Sequence, residues 1–201
     1  MDYDFLKNSL KNYLEILSAK TPTPGGGSAV ACLASLSSSL LNMVLNYTIG
    51  KKGYEKFEEE IKKIKDKNEK ILKECMNFIE EDSRIYEKID KAIKEKSDIE
   101  EYLKISANLH MKICEYMVEI VDFCDILTEK GNKNLISDTG ISNIFALSAF
   151  MGAKMNIFIN LKFLKDEKIK KEMKERLEEM EREIREKSEM VNRKVIEKMG
   201  V

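Results

Sequence analysis

The chain has 201 residues, of which 35% are charged, with nine glycines and only two prolines. Its formal net charge of −1 provides no global field that would attract nucleic acid or anionic lipid. One histidine and four cysteines without a C-x-x-C pair argue against a metal site. We expect no signal peptide, reduced buried cysteines and a cytoplasmic protein. Helix-forming residues dominate, so we predict an all-α bundle of long helices in one domain, residues 1–201.

The first predicted helix, roughly Tyr3–Ala19, places apolar residues at i, i+3, i+4 spacing. The segment TPTPGGG (21–27) ends it, and Ser28 is the predicted N-cap of a second helix, Ala29–Tyr47. That helix is uncharged and long enough to cross a bilayer, which is one interpretation. Its many serines and asparagines favour the other, a central helix surrounded by protein.

The third predicted helix, about Tyr54–Lys94, carries a seam with 4-3 spacing that indicates packing against a core. Its members are Phe57, Ile61, Ile64, Asn68, Ile71, Cys75, Phe78, Asp82, Ile85 and Ile89. Asp82 is the one ionisable member, and a carboxylate there is costly unless it is paired, hydrogen-bonded or in contact with a ligand. A structural role and a functional role for Asp82 both remain open.

A capping box at Ser97–Glu100 predicts the start of a fourth helix, which Gly131 ends. His110 lies on or beside the packed face of this helix. We favour a structural role for this histidine over a catalytic one.

A polar loop, GNKNLISDTG (131–140), precedes a nearly uncharged fifth helix that starts near Ser137 and Asp138 and runs to Phe163. Asn156 and Asn160 lie one turn apart on this helix. Their amides would therefore either line one pocket or join neighbouring helices.

The last predicted helix, about Asp166–Lys198, is highly charged and has a narrow apolar stripe that suits an outer face of the bundle. The two nearly uncharged central helices offer more apolar surface than a bundle of this size buries. We therefore predict a homodimer in which uncharged faces meet across a two-fold axis.

The glycine run does not match a nucleotide-binding loop. PGGGSAVA (24–31) lacks the lysine of G-x-x-x-x-G-K-[ST] and follows a helix instead of a strand. It also lacks the G-x-G-x-x-G fingerprint of a dinucleotide-binding sheet. The glycines would still allow backbone to approach a ligand at a helix N-terminus.

Several motifs, in this order, resemble the formiminotransferase-cyclodeaminase C-terminal family. They are PTPGGGS at 22–28, YTIGKK at 47–52, Glu81, Asp82 and Tyr86 in an acidic-D-x-x-x-Y pattern, GNKNLISD at 131–138, and N-x-x-x-N-L at 156–161. The chain departs from the family pattern at His110, where many relatives would have proline. That departure argues against His110 as an inherited catalytic residue.

The resemblance implies an all-α dimer that acts on a tetrahydrofolate derivative, with no permanently bound cofactor and no metal. The implied reaction is cyclisation of 5-formiminotetrahydrofolate to 5,10-methenyltetrahydrofolate with release of ammonia, with a formiminotransferase as a possible partner. The alternatives are a 5,10-methenyltetrahydrofolate cyclohydrolase giving 10-formyltetrahydrofolate, and a non-catalytic folate-binding or scaffold dimer.

Under this resemblance Asp82 is the principal candidate acid/base, because burial on the seam should raise the pKa of its carboxyl. Asp138 is the second candidate, either as the partner of Asp82 or as a group that reads the pterin. The candidate substrate-binding residues are Gly25, Gly26, Gly27, Ser28, Lys51, Lys52, Lys133, Asn134, Ser137, Asn156 and Asn160. Each lysine is equally well explained as a solvated surface residue.

Overall fold

The computed structural model describes residues 4–200, and within this range the chain forms helices and no strands, as predicted. The helices are α1 (Leu10–Ser18), α2 (Gly26–Asn46), α3 (Glu58–Lys94), α4 (Glu100–Lys130), α5 (Ile136–Phe163) and α6 (Glu167–Met199). Short 3-10 turns at Glu55–Phe57 and Lys133–Leu135 precede α3 and α5.

Helices α2, α4 and α5 form the centre of the bundle, while α3 packs on α2 and α4. Successive long helices run antiparallel, because their connections are short. The core is apolar, and its largest fully buried side chains include Leu41, Leu45, Ile61, Ile113, Met117 and Phe150.

Helix α6 covers α4 and α5 from outside, and ion pairs line its border with α4. Lys187 lies 2.6 Å from Asp122, and Lys194 lies 2.7 Å from Asp125. A third lysine near the end of α6, Lys198, pairs with an α4 carboxylate in the same way. The predicted stripe is also present, with Leu177, Ile184, Val191 and Val195 buried.

The predicted seam of α3 is confirmed, since most of its members are buried against α2 and α4. Its other polar member, Asn68, is fully buried and joins α3 to α2. The Asn68 amide donates to the Ser38 carbonyl oxygen at 2.9 Å and to Asn42 Oδ1 at 2.7 Å. Ser38 Oγ donates to Asn68 Oδ1 at 2.8 Å, so the buried amide is satisfied on both sides.

The predicted N-termini of the first two helices were wrong. Helix α1 begins only at Leu10, where the Ser9 side chain accepts a bond from the Asn12 amide; the predicted start at Tyr3 lies outside the described residues. Helix α2 begins at Gly26 with Gly25 as N-cap, so two of the three glycines are helical. The physical reason is the close approach of the Asp82 side chain from α3 to Gly27.

The predicted capping box at the start of α4 does not form. Ser97 Oγ donates to the Ala92 carbonyl oxygen at 3.2 Å and closes the end of α3 instead. The N-cap of α4 is Ile99, which makes no side-chain cap bond.

Helices α2 and α5, which pack against each other, both leave large apolar side chains exposed, and we call this set the α2–α5 stripe. Its exposed members are Leu36, Tyr47, Ile141, Ile144, Met155 and Ile159. By length and composition, both helices are long and apolar enough to cross a bilayer. In each helix, about half or less of the most apolar stretch is buried in the bundle. Burial within one chain therefore accounts for only part of their apolar character.

Candidate active site

A cavity of about 250 Å³ opens where the N-terminus of α2 meets the C-terminal part of α3, the N-terminal part of α4 and the end of α5. Its lining residues are Pro22, Thr23, Gly25, Gly26, Gly27, Asp82, Tyr86, Ile89, Ser106, His110, Asn156, Ile159 and Asn160. The cavity thus brings together the glycine run, the α3 carboxylate and the two α5 asparagines that the sequence singled out.

Gly27 explains why α2 begins inside the glycine run. A Cβ at this position would lie 2.1 Å from Asp82 Oδ1 and 2.4 Å from its Cγ, so only glycine admits the carboxylate. The backbone N–H of Ser28 donates to the Asp82 carboxylate. The N–H groups of the first helical turn have no partner within the helix, so Asp82 caps α2 from a neighbouring helix.

Ser28 itself faces away from the cavity. Its hydroxyl lies 3.0 Å from the Tyr13 hydroxyl, in a buried bond that fastens α1 to the start of α2. The side chain that was predicted to cap α2 therefore holds another helix in place, and only the Ser28 amide reaches the site.

Asp82 is nearly buried, with 15% of its side chain exposed, and lies opposite His110. The distance from Asp82 Oδ1 to His110 Nε2 is 3.5 Å. Burial raises the pKa of Asp82 above its usual range, against the opposing effects of His110 and the Ser28 amide. Burial also lowers the pKa of His110, against the opposing charge of Asp82. Both shifts favour the uncharged forms of the two side chains.

The two asparagines use their N–H groups within the bundle. Asn160 Nδ2 donates to Ser106 Oγ at 2.9 Å and to the Asn156 carbonyl oxygen at 2.9 Å. Asn156 Nδ2 lies 3.4 Å from the Gly152 carbonyl oxygen. These bonds leave the two amide oxygens as acceptors at the cavity, so the helix-joining and pocket-lining interpretations both apply.

The remaining predicted binding residues lie at the other end of α2. Lys51 Nζ donates to Asn132 Oδ1 at 2.7 Å, and the Lys133 amide donates to the Tyr54 hydroxyl at 3.0 Å. Lys52, Lys133, Asn134 and Ser137 are exposed and Asp138 is half-buried in the same region. Because α2 has 21 residues, this group lies about 30 Å from the cavity. Within one chain, Asp138 is therefore not the partner of Asp82, contrary to one of our two expectations for it.

His110 is the functional candidate that the sequence interpretation placed among structural residues. A signal for it existed, because Asp82 and His110 are nearly equidistant from the connection between α3 and α4. Antiparallel helices bring such positions to one level. Among residues 4–200 no cluster of three or more His, Cys, Asp or Glu side chains is arranged to hold a metal.

The protein is an all-helical bundle in which a nearly buried carboxylate lies in a cavity beside the N-terminus of a central helix. This fold and this site define its class. The sequence profile of the formiminotransferase-cyclodeaminase family matches residues 9–179. The chain therefore belongs to that family.

Individual relatives carry two different names. A methenyltetrahydrofolate cyclohydrolase from Methylorubrum extorquens is 30% identical over 182 residues, covering 85% of this chain and 87% of the relative. The crystal structure of formiminotetrahydrofolate cyclodeaminase from Thermotoga maritima matches with a TM-score of 0.90 and 33% identity, covering 94% of this chain and 96% of that one. The formimidoyltransferase-cyclodeaminase of Rattus norvegicus is 22% identical over 88% of this chain, which spans only 35% of the rat protein.

Proposed function

We propose that this protein is an enzyme of one-carbon folate metabolism that cyclises 5-formiminotetrahydrofolate to 5,10-methenyltetrahydrofolate and releases ammonia. Family membership and the likeness to a solved cyclodeaminase support this reaction. The observation that carries it is the nearly buried Asp82 carboxylate, held at the rim of a cavity large enough for the reacting end of the substrate.

The chemistry requires a group that both accepts and donates protons. Folate N10 attacks the carbon of the protonated formimino group, which leaves a neutral amino group on that carbon, and the proton of N10 passes to the Asp82 carboxylate. The bond from that carbon to the formimino nitrogen then breaks, and Asp82 returns the proton to the departing ammonia. Such a positioned acid/base contributes about 10²–10⁴-fold in rate. An ionised Asp82 also stabilises the cationic methenyl product electrostatically.

Cyclohydrolysis is the second candidate, because the Methylorubrum relative carries that name. Water attacks the methenyl carbon and gives a proton to Asp82. The bond from that carbon to N5 then breaks as the hydroxyl on that carbon loses its proton to become the formyl carbonyl, and N5 takes up a proton from Asp82, leaving the 10-formyl product with one proton released overall. The tetrahedral carbon lies between the same two nitrogens in both reactions, so one cavity serves either.

The proposed active form is a homodimer with sites shared between subunits. Ligand pockets for drug-sized molecules usually measure about 300–1,000 Å³. The cavity of about 250 Å³ thus holds only part of a folate, and none of the described residues lining it is a lysine or arginine. An anionic folate tail needs cations. A two-fold axis across the α2–α5 stripe would bring the partner's opposite end of α2, with its lysine-rich loops, to this cavity.

A separate formiminotransferase would supply the substrate. The rat relative carries both names in a single protein, and the present chain corresponds to about a third of it. We propose that a formiminotransferase is a partner of this protein and that the protein is cytoplasmic.

The test offers the purified protein each folate separately and follows the methenyl absorbance band. A rise with 5-formiminotetrahydrofolate establishes cyclodeamination, and a faster-than-spontaneous fall with 5,10-methenyltetrahydrofolate establishes cyclohydrolysis. Folate binding without either change would refute both and favour a binding or scaffold protein. Parallel measurements on the Asp82→Asn variant distinguish catalysis in this cavity from contaminating activity.

A further inference from the structure

His110 is the only histidine of the chain, and its ring is 1% exposed in the wall of the cavity. Its Nδ1 lies 2.9 Å from the Ser106 carbonyl oxygen. A carbonyl oxygen only accepts, so Nδ1 carries the proton and donates it. In the neutral ring, Nε2 is therefore a bare acceptor.

That acceptor has no hydrogen-bond partner among the described residues and is shielded from solvent. The buried Nε2 faces Asp82 Oδ1 at 3.5 Å. An unpartnered buried nitrogen is costly, and a protonated carboxyl is the group that would satisfy it. A small rotation of either side chain would bring Asp82 Oδ1 and His110 Nε2 into hydrogen-bond distance.

No other described group competes for the Asp82 proton. Tyr13 on α1 interacts electrostatically with Asp82, and Cys32 on α2 interacts with Tyr13; burial raises the pKa of both, which keeps them uncharged. Tyr86 on α3 lines the cavity, while α5 contributes the uncharged asparagines described above. The ion-pair partner of Asp82 within residues 4–200 is His110.

We propose that Asp82 and His110 hold one proton between them, and that His110 is a positioning residue that sets the orientation and protonation state of Asp82. The catalytic role of His110 in this inference rests on the proposed function, but the sharing of a proton between Asp82 and His110 does not depend on it. Transfer breaks one O–H bond and forms one N–H bond, with no other reactant.

The shared proton would suit the proposed chemistry. In the empty cavity, burial favours the neutral arrangement in which the Asp82 carboxyl donates to Nε2. A cationic folate centre beside Asp82 would favour the carboxylate, and the proton would then lie on the imidazole. Asp82 would thus become a base only when the substrate is in place.

Nuclear magnetic resonance tests the pair directly, because a single histidine gives a single set of imidazole signals. In protein labelled with ¹⁵N-histidine, we expect the neutral ring to show the Nδ1–H tautomer and to protonate at lower pH than free imidazole. In Asp82→Asn the protonation should shift to still lower pH, because the anionic partner is lost. The matched control Glu81→Gln removes a charge from the adjacent exposed residue and should leave the titration unchanged.

An Nε2–H tautomer, or equal titrations in Asp82→Asn and Glu81→Gln, would overturn the proposal. The pH–rate profile of His110→Gln adds a kinetic readout: its acid limb should move to higher pH, because the imidazolium that favours ionised Asp82 is absent. A uniform loss of rate with an unmoved profile would assign His110 a purely structural role. The resonance data stand even if neither folate reaction is detected, so the two failures are distinguishable.

Discussion

Gly27 and Asp82 are in such close contact that the space for a β-carbon at position 27 is already filled by the carboxylate. One residue type on α2 thus determines where the proposed acid/base on α3 lies. The contact links the glycine run to the chemistry through sterics, without any need for the glycines to bind phosphate.

The substitution Gly27→Ala should displace the Asp82 carboxylate and reduce kcat/KM for the folate that the enzyme converts by about 10²-fold. This is the usual cost of misplacing a reacting group by about 1 Å. Gly26→Ala is the matched control for helix stability, since its β-carbon meets only Asn156 Oδ1 at 3.9 Å. Thermal unfolding of both variants separates a local displacement from general destabilisation. Full activity in Gly27→Ala would contradict the proposed position of Asp82.

Asp82→Asn should reduce turnover by about 10²–10⁴-fold while preserving the fold, because the amide has nearly the same shape but does not act as an acid or a base. Steady-state kinetics measures the loss of turnover, and circular dichroism tests whether the fold is preserved. Near-normal turnover would remove Asp82 from the acid/base role.

The same variant should be more stable than the parent at neutral pH. The folded-state pKa of Asp82 is raised, so ionisation costs stability as pH rises through that value, and the asparagine avoids this cost. The gain in Tm should vanish in acid, where the aspartate is protonated in both states. Calorimetry at several pH values tests it, and a gain confined to acidic solution would have the wrong sign.

Ile144→Glu should separate the proposed dimer, because it places a charge in the middle of the α2–α5 stripe. Ile144 is 49% exposed, and Ile196 on α6 is 52% exposed and offers a matched control outside the stripe. Light scattering after size exclusion should show a monomer for the first variant and a dimer for Ile196→Glu. A parent protein that is already monomeric would refute the shared-site arrangement.

Mixing of inactive variants tests whether the site is shared. Asp82→Asn alters the cavity, and Asp138→Asn alters the opposite end of α2. If each site uses Asp82 from one subunit and Asp138 from the other, mixed dimers contain one unaltered site and regain part of the activity. Mixtures that stay inactive after confirmed subunit exchange would contradict a site that takes Asp82 from one subunit and Asp138 from the other.

Asn68→Ala should lower the free energy of unfolding by about 1–3 kcal/mol, because the buried groups of Ser38 and Asn42 lose their partner. Asn77→Ala, on the exposed side of the same helix, should change it by less than about 0.5 kcal/mol. Urea unfolding measures both. Equal effects would mean that the Asn68 network contributes little.

The long helices were predictable because periodic apolar residues determine their buried faces, as the α3 seam shows. The start of α2 was not, because three consecutive glycines favour a loop by local propensity. The helix begins at the second of these glycines because of a contact between Gly27 and Asp82, which is more than fifty residues away in the chain. Local rules carry no information about such a contact.

Only part of the candidate site could be predicted from the sequence, again because local sequence carries no information about contacts between distant residues. Residue types identified Asp82, Asn156 and Asn160, which the structure places around one cavity. The motif at 131–138 lies far from them, because the antiparallel pairing of α4 with α5 places their connection at the opposite end of the bundle. Sequence motifs give order along the chain but not the end of the bundle to which each belongs.

The border between α6 and α4 has a consequence for assembly. Lys187 and Lys194 on α6 face Asp122 and Asp125 on α4, so in these two pairs the cations are on α6 and the anions on α4. Two copies of α6 placed face to face would oppose lysine with lysine. The outer helix therefore recognises its own bundle and disfavours exchange with a neighbouring molecule, and high salt should weaken that discrimination more than it weakens the fold.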